Sequence, residues 1–275
     1  MSLAAAVAAQ GFAVITAPDL VRAAPSDPWA VAASLAGEPA RMLERQPIRA
    51  VKGGQTFASG HGPAPLHTDS QLYRGMPAHW QALFCVQAAR QGGDTVLLDT
   101  RAVLAATNGT PLFDALFEVS RHLPFVFGNL EGPTIARAGE AVVFTGTPRV
   151  EDDVGRALVP IYERLPKTTL KLQPGEVLVV DNHRMLHGRT AFEGPRMLER
   201  ILVWLTSPAP VDPWLLSRAR GRLDRPLDRA DVVLPDELHA RAIVSDMLRG
   251  VPPGVLATRH SLSEALLYVL RDRYA

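Results

Sequence analysis

A histidine and an aspartate stand two residues apart in Leu66-His67-Thr68-Asp69. On an extended segment side chains two apart point to the same side, so this imidazole and carboxylate can grip one metal ion. A second imidazole would complete the two-histidine, one-carboxylate set that suits non-haem Fe(II) and leaves three positions open for a chelating co-substrate and O2. The best candidate is His187, in Asp181-Asn182-His183-Arg184-Met185-Leu186-His187-Gly188-Arg189, just past an apolar run and an Asp-Asn turn.

Arg189, Arg196 and Arg200 follow. If residues 196–200 form a strand, Arg196 and Arg200 share a face and both can reach one pocket, where guanidinium forks bind carboxylates bidentately. Pairing of both with surface acids is the open alternative. His183 and His187 are four apart and on a helix would share a face, as in a zinc hydrolase. No glutamate adjoins His183, however, and strand-like residues precede the turn.

Several elements must position these groups. Ser2 and Gly11 bracket a short helix, a beta-rich run covers residues 11–15, and a helix opens at Pro28. Residues 41–65 lack a firm period and read as a loop-rich wall. Trp80 to Ala89 reads as a central strand, Gln91-Gly92-Gly93-Asp94-Thr95 as a turn, and Val96 to Asp99 as the strand leaving it, a two-strand unit. Residues 101–104 and 111–120 have helical spacing. Short apolar runs from Leu123 to Val150 suggest antiparallel strands in a sandwich or barrel. A helix over 153–165, strands flanking Gln173-Pro174-Gly175 and a strand over 197–206 complete a core at 1–206. Beyond Ser207 the pattern turns helical, so 207–275 reads as a C-terminal extension packed on the same domain, with helices opening at Leu234-Pro235-Asp236-Glu237 and at the capping box Ser261-Leu262-Ser263-Glu264.

Composition narrows the function. The 275 residues are 47% apolar and 21% charged, with formal charge +1 and no block of like charge, which argues against a nucleic-acid partner. Cys85 is the one cysteine, so no intrachain disulfide can form; a reducing, cytoplasmic setting is expected. The apolar start lacks a basic residue ahead of it, which argues against a signal peptide. No run approaches a membrane span, so no membrane partner is expected.

His67-Thr68-Asp69, Gly92-Gly93-Asp94-Thr95, Asp181-Asn182-x-Arg184-x-x-His187-Gly188-Arg189 and Arg196-x-x-x-Arg200 occur in that order. Together they resemble the Fe(II)/2-oxoglutarate oxygenases of the taurine dioxygenase (TauD/TfdA), clavaminate synthase and γ-butyrobetaine hydroxylase superfamily, over residues 11–206. The resemblance implies a double-stranded β-helix (jelly roll) with peripheral helices, an α+β chain that is mainly β. It implies that His67, Asp69 and His187 bind iron, that Thr95 and Arg196 hold the distal carboxylate of 2-oxoglutarate, and that Arg200 faces the substrate or supports the co-substrate pocket. His61, Tyr73 and Arg74 are further candidates to line the substrate pocket, and Arg200, Arg189 or Arg74 suggest a substrate with an acidic group. The implied reaction couples oxidative decarboxylation of 2-oxoglutarate by O2 to hydroxylation, desaturation or cyclisation of a small molecule, such as an amino acid or a secondary-metabolite intermediate. Related halogenases leave a small residue at the position of Asp69, so halide transfer is not expected. A zinc hydrolase using His183 and His187, or a non-catalytic metal-binding jelly roll, are the competing readings. The C-terminal helices offer a surface for a homo-oligomer.

Overall fold

The computed structural model describes residues 2–39, 42–51, 54, 57–69, 77–125, 128–138, 141–145, 152–206, 210–219, 236–260, 262, 267, 270–271 and 274. Ser2 caps α1 (Leu3–Gln10) by accepting from the Ala5 amide, and the helix ends at Gly11. β1 (Phe12–Thr16) leads to α2 (Pro18–Ala23) and α3 (Pro28–Ala36), each with proline in its first turn, where a missing N–H costs nothing. β2 (Met42–Arg49), β3 (Ala64–His67), β4 (Trp80–Gln87), β5 (Gln91–Gly92) and β6 (Thr95–Asp99) follow. Then come α4 (Thr100–Thr107), α5 (Pro111–Glu118), β7 (Arg121–Phe125), β8 (Gly128–Gly132), β9 (Ile135–Ala138), β10 (Ala141–Phe144) and α6 (Asp153–Arg164). The last elements are β11 (Thr168–Leu170), β12 (Glu176–Asp181), β13 (Met185–Arg189), β14 (Phe192–Glu193), β15 (Met197–Trp204), α7 (Pro213–Arg218), α8 (Glu237–Leu248) and α9 (Pro253–His260).

Two antiparallel sheets form the core, ordered β1-β12-β4-β15-β2 and β11-β6-β13-β3. Alternation along each strand decides what lies between them. In β12, Val177 and Val179 pack outward with Val31 and Leu35 of α3, while Leu178 and Val180 face inward with Leu97 and Met185 of the other sheet. In β13, Leu186 packs outward with Val103, Leu116 and Leu158 of α4, α5 and α6. Its neighbour His187 is therefore directed into the space between the sheets. This is the expected jelly roll with helices on its outer faces.

Two details differ from the sequence reading. Residues 42–49 form an eight-residue edge strand along all of β15, not a loop. Pro47 obscures it in the sequence, yet proline is tolerated where a strand is paired on one side only. The glycine turn at 92–93 does not close a two-strand unit: β4 belongs to the larger sheet and β6 to the smaller, so the turn crosses between sheets. Gln173-Pro174-Gly175 likewise carries the chain from β11 to β12 across the sandwich. A period of two marks a strand with a buried face but does not name its partner.

In the extension, Leu215, Leu216 and Ala219 join the core cluster beneath α4 to α6, with Trp214 stacked 6.1 Å from Phe113. Ala240, Ile243, Val244 and Leu256 of α8 and α9 form a separate apolar cluster with Leu267 and Leu270. Asp236 caps α8 as expected, accepting from the His239 amide at 2.8 Å. Of the second capping box, Ser261, Ser263 and Glu264 lie outside the described residues. Among the described residues no helix is long and apolar enough to cross a membrane.

Candidate active site

β13 runs between β6 and β3, and its register sets His187 directly opposite His67. Gly188 makes this approach feasible, because a Cβ there would lie 2.7 Å from the Ala64 carbonyl oxygen. The two imidazole centroids are 4.3 Å apart. Asp69 lies two residues past the end of β3, and its main chain is clamped by fully buried Asn182. The Asn182 Oδ1 accepts from the Asp69 N–H at 2.8 Å, and its Nδ2 donates to the carbonyls of Asp69 (3.0 Å) and Ala78 (2.9 Å). One ligand atom each from His67, Asp69 and His187 then lies within 4.8 Å of the others, the one such cluster among the described residues. His67 donates its Nδ1 proton to the Pro65 carbonyl at 2.8 Å, which leaves the Nε2 lone pair for a metal. Replacing Asn182 by alanine removes three buried hydrogen bonds and strands the Asp69 amide; we expect a loss of about 3 kcal/mol of stability in urea denaturation.

The two sheets contribute different groups. The smaller carries the histidines; the larger presents Gln81 of β4 and Arg200 of β15 to the Asp69 carboxylate. Arg200 Nη1 donates to Asp69 Oδ2 at 2.8 Å and its Nη2 to Gln46 Oε1, while Gln81 Nε2 also donates to Asp69 Oδ2. Burial disfavours the charge on Asp69, but Arg200, with lesser help from His187, His67 and Gln81, holds the carboxyl well below the usual carboxylate range. Burial, helped by the adjacent His67, pushes the His187 imidazole down to about 3. It is thus neutral, the form that binds a metal.

This has a consequence for the metal-free protein. A histidine depressed from 6.5 to about 3 in the folded state binds its proton only on unfolding between those values. Its stabilisation is complete above pH 6.5 and falls by about 1.4 kcal/mol per pH unit below it. Urea midpoints measured from pH 7 to pH 4.5 should follow this slope, and His187→Gln should flatten it by about one proton.

Farther along the interior, Thr95 opens β6 and Arg196 precedes β15. They share a cavity with Cys85, Gly93, Lys171 and Leu172. Gly93, at φ +74°, faces the Arg196 side chain so closely that a Cβ would come within 3.2 Å of Cδ. The Arg196 guanidinium stands over the Phe192 ring at 5.5 Å, beside Arg189 at 4.7 Å. Arg196 is 8% exposed and has no hydrogen-bonded or ion-paired partner among the described residues. Burial, reinforced by Arg189, pushes it down to about 10. Asp94 attracts it only from a distance, so this buried guanidinium, without a hydrogen-bonded carboxylate, is a place for an anion, and Thr95, 3% exposed, adds a hydroxyl beside it.

The remaining expectations divide. Arg196 and Arg200 both enter the interior, but at separate places, the one beside Thr95 and the other at Asp69. Arg189 donates to the carbonyls of Phe57, Gly60 and Gly62 and so ties down that loop. His61 is exposed, with its ring 5.0 Å from Phe192. Tyr73 and Arg74 lie outside the described residues. The zinc pair is not built, because residues 183–187 form a turn and a strand and not a helix. His183 turns its Nε2 to the Pro77 carbonyl at 2.9 Å, with its ring against His79. Cys85 packs under the Leu172 carbonyl, and burial pushes its thiol up to about 11, as expected of an inert residue. Sequence reasoning assigned no role to Gln81, Asn182 or Gln46. Gln81 had a signal, as the lone polar residue in Trp80-Gln81-Ala82-Leu83-Phe84-Cys85-Val86.

Comparison with known proteins agrees with this geometry. No curated protein sequence matches the chain. Among solved structures, an asparagine oxygenase in complex with Fe(II), 2S,3S-3-hydroxyasparagine and succinate superposes with TM-score 0.50 at 21% identity, over 58% of this chain and 56% of that one. The chain thus spans little more than half of that protein. PvcB, an Fe, α-ketoglutarate-dependent oxygenase from an isonitrile synthetic pathway, superposes with TM-score 0.52 at 16% identity, over 80% of this chain and 81% of that one. At these identities the likeness is one of fold. The family model described as taurine catabolism dioxygenase TauD, TfdA family, matches residues 2–119 and 143–202, so that motifs, sandwich and match agree: the chain belongs to the TauD/TfdA family.

Proposed function

We propose that this protein is an Fe(II)- and 2-oxoglutarate-dependent oxygenase acting on a small, acid-bearing molecule such as an amino acid. The observation that carries the reading is the buried Arg196 guanidinium beside Thr95, without a hydrogen-bonded carboxylate, in a cavity whose Cys85, Leu172 and Leu198 belong to the core between the sheets, into which His187 is also directed. A protein that only stored metal would have no use for such a cation, whereas a dicarboxylate co-substrate supplies its missing anion. His67, Asp69 and His187 would hold the metal, and Thr95 and Arg196 the distal carboxylate. When bound, iron and 2-oxoglutarate would supply oxidative decarboxylation to succinate and CO2, coupled to oxidation of a substrate C–H bond. The protein keeps His187 neutral for ligation, turns the His67 Nδ1 proton to a carbonyl so that Nε2 faces the site, holds the carboxylate ionised, and excludes bulk water with the apolar side chains between the sheets.

Arg200 supports the acidic substrate. It stays hydrogen-bonded to Asp69, but a metal that shares the Asp69 charge would leave the guanidinium net positive charge with which to attract a carboxylate. The asparagine oxygenase complex, which holds a hydroxylated amino acid, is consistent with that class. Hydroxylation is the expected outcome, with desaturation or cyclisation as variants of the same chemistry.

The test is anaerobic titration of metal-free protein with Fe(II) and 2-oxoglutarate, watching for the weak visible metal-to-ligand charge-transfer band, followed by a substrate screen by succinate release. Absence of the band would overturn the oxygenase reading. Full activity of Arg200→Ala on every accepted substrate would overturn the acidic-group assignment.

A further inference from the structure

Gln81 is 2% exposed and lies on the central strand of the larger sheet, across the sandwich from the two histidines. Its Nε2 donates to Asp69 Oδ2 and lies 3.1 Å from His187 Nε2. The amide orientation follows from chemistry: an ionised carboxylate only accepts, so the NH2 end must face it. The other end, Oε1, is buried with no hydrogen-bond partner. An unsatisfied buried carbonyl costs stability, and an apolar residue of similar length would fill the same space without that cost. Core packing therefore does not account for a glutamine here, and its contact with the metal-ligand carboxylate does.

The geometry shows what that contact does. Arg200 Nη1 and Gln81 Nε2 converge on the same oxygen, Oδ2, which lies 3.8 Å from His187 Nε2, while Oδ1 lies 3.8 Å from His67 Nε2. We propose that Gln81 is a positioning residue for the metal: by holding Asp69 Oδ2 together with Arg200, it fixes the carboxylate between the two histidines, with one oxygen toward each. Without that hold the carboxylate can rotate away from the histidines, and the three groups that would hold the metal, on which the co-substrate would also bind, are no longer kept together. The inference rests on the proposed metal site.

The experiment uses Gln81→Met, which keeps length and loses both polar ends, and Gln81→Ser, which leaves room for water. Anaerobic titrations with Co(II) follow the visible d–d bands; a second titration adds 2-oxoglutarate to the Fe(II)-loaded protein. Near-UV circular dichroism establishes that each variant tested is folded. We expect Co(II) affinity to fall about tenfold, with altered d–d bands, and 2-oxoglutarate binding to weaken by at least as much. A merely structural role would lower thermal stability and leave the d–d bands and both affinities unchanged. In any folded variant, Co(II) and 2-oxoglutarate affinities within twofold of the parent, with the same d–d bands, would overturn the proposal. Failure of the parent to bind Co(II) at all would instead overturn the metal-site reading beneath it.

Discussion

Alanine at Asp69 is expected to eliminate the anaerobic Fe(II)/2-oxoglutarate charge-transfer band and to lower succinate release by about a thousandfold or more. Two losses combine. The variant lacks the only carboxylate among the three clustered groups. It also leaves Arg200 and Gln81 without the oxygen to which both donate, so the site gains uncompensated positive charge where a cation must bind. The fold should survive, because the main chain of residue 69 is held by Asn182 through backbone groups that alanine retains. A variant that is folded by circular dichroism, metal-deficient and inactive would fit. One that keeps the band and its turnover would remove Asp69 from the metal site.

The second large effect is at Arg196. Arg196→Met should raise the Kd for 2-oxoglutarate about a hundredfold, the equivalent of about 3 kcal/mol for a charge-assisted hydrogen-bonded pair, while leaving Co(II) affinity unchanged. Lysine should recover only part of the loss, since it offers a point charge and not a fork. The same substitution removes a buried cation that has no hydrogen-bonded or ion-paired partner among the described residues, only the Phe192 ring and the more distant Asp94 charge. The metal-free variant should therefore be more stable than the parent, by about 1–2 kcal/mol in urea. Opposite signs for stability and co-substrate affinity would mark Arg196 as a residue kept for function at a cost in stability. If Arg196→Met bound 2-oxoglutarate normally and Arg200→Met did not, the co-substrate role would pass to Arg200.

Much of this site was legible in the chain itself. The spacing of His67 and Asp69 expressed a shared side, because side-chain direction on extended backbone is a local property. The outward Leu186 and inward His187 follow from the same alternation. The caps at Ser2 and Asp236 were readable for a similar reason, since they involve groups within one helical turn. The four motifs in order carried the family resemblance, which the match over residues 2–119 and 143–202 supports.

What the sequence left open was decided between segments. That His187 faces His67 depends on β13 pairing with β3, and on Gly188 admitting the close approach. Arg189, Arg196 and Arg200 are equivalent as arginines; only the packed sandwich gives one to loop carbonyls, one to the cavity beside Thr95 and one to Asp69. Gln81 and Asn182 became part of the site because strands distant in the chain bring them to Asp69. The sequence by itself determined residue chemistry, local direction and helix ends, because these depend on near neighbours. Only the tertiary structure decided which donor meets which acceptor, because a hydrogen bond depends on a distance in space that separation along the chain does not set.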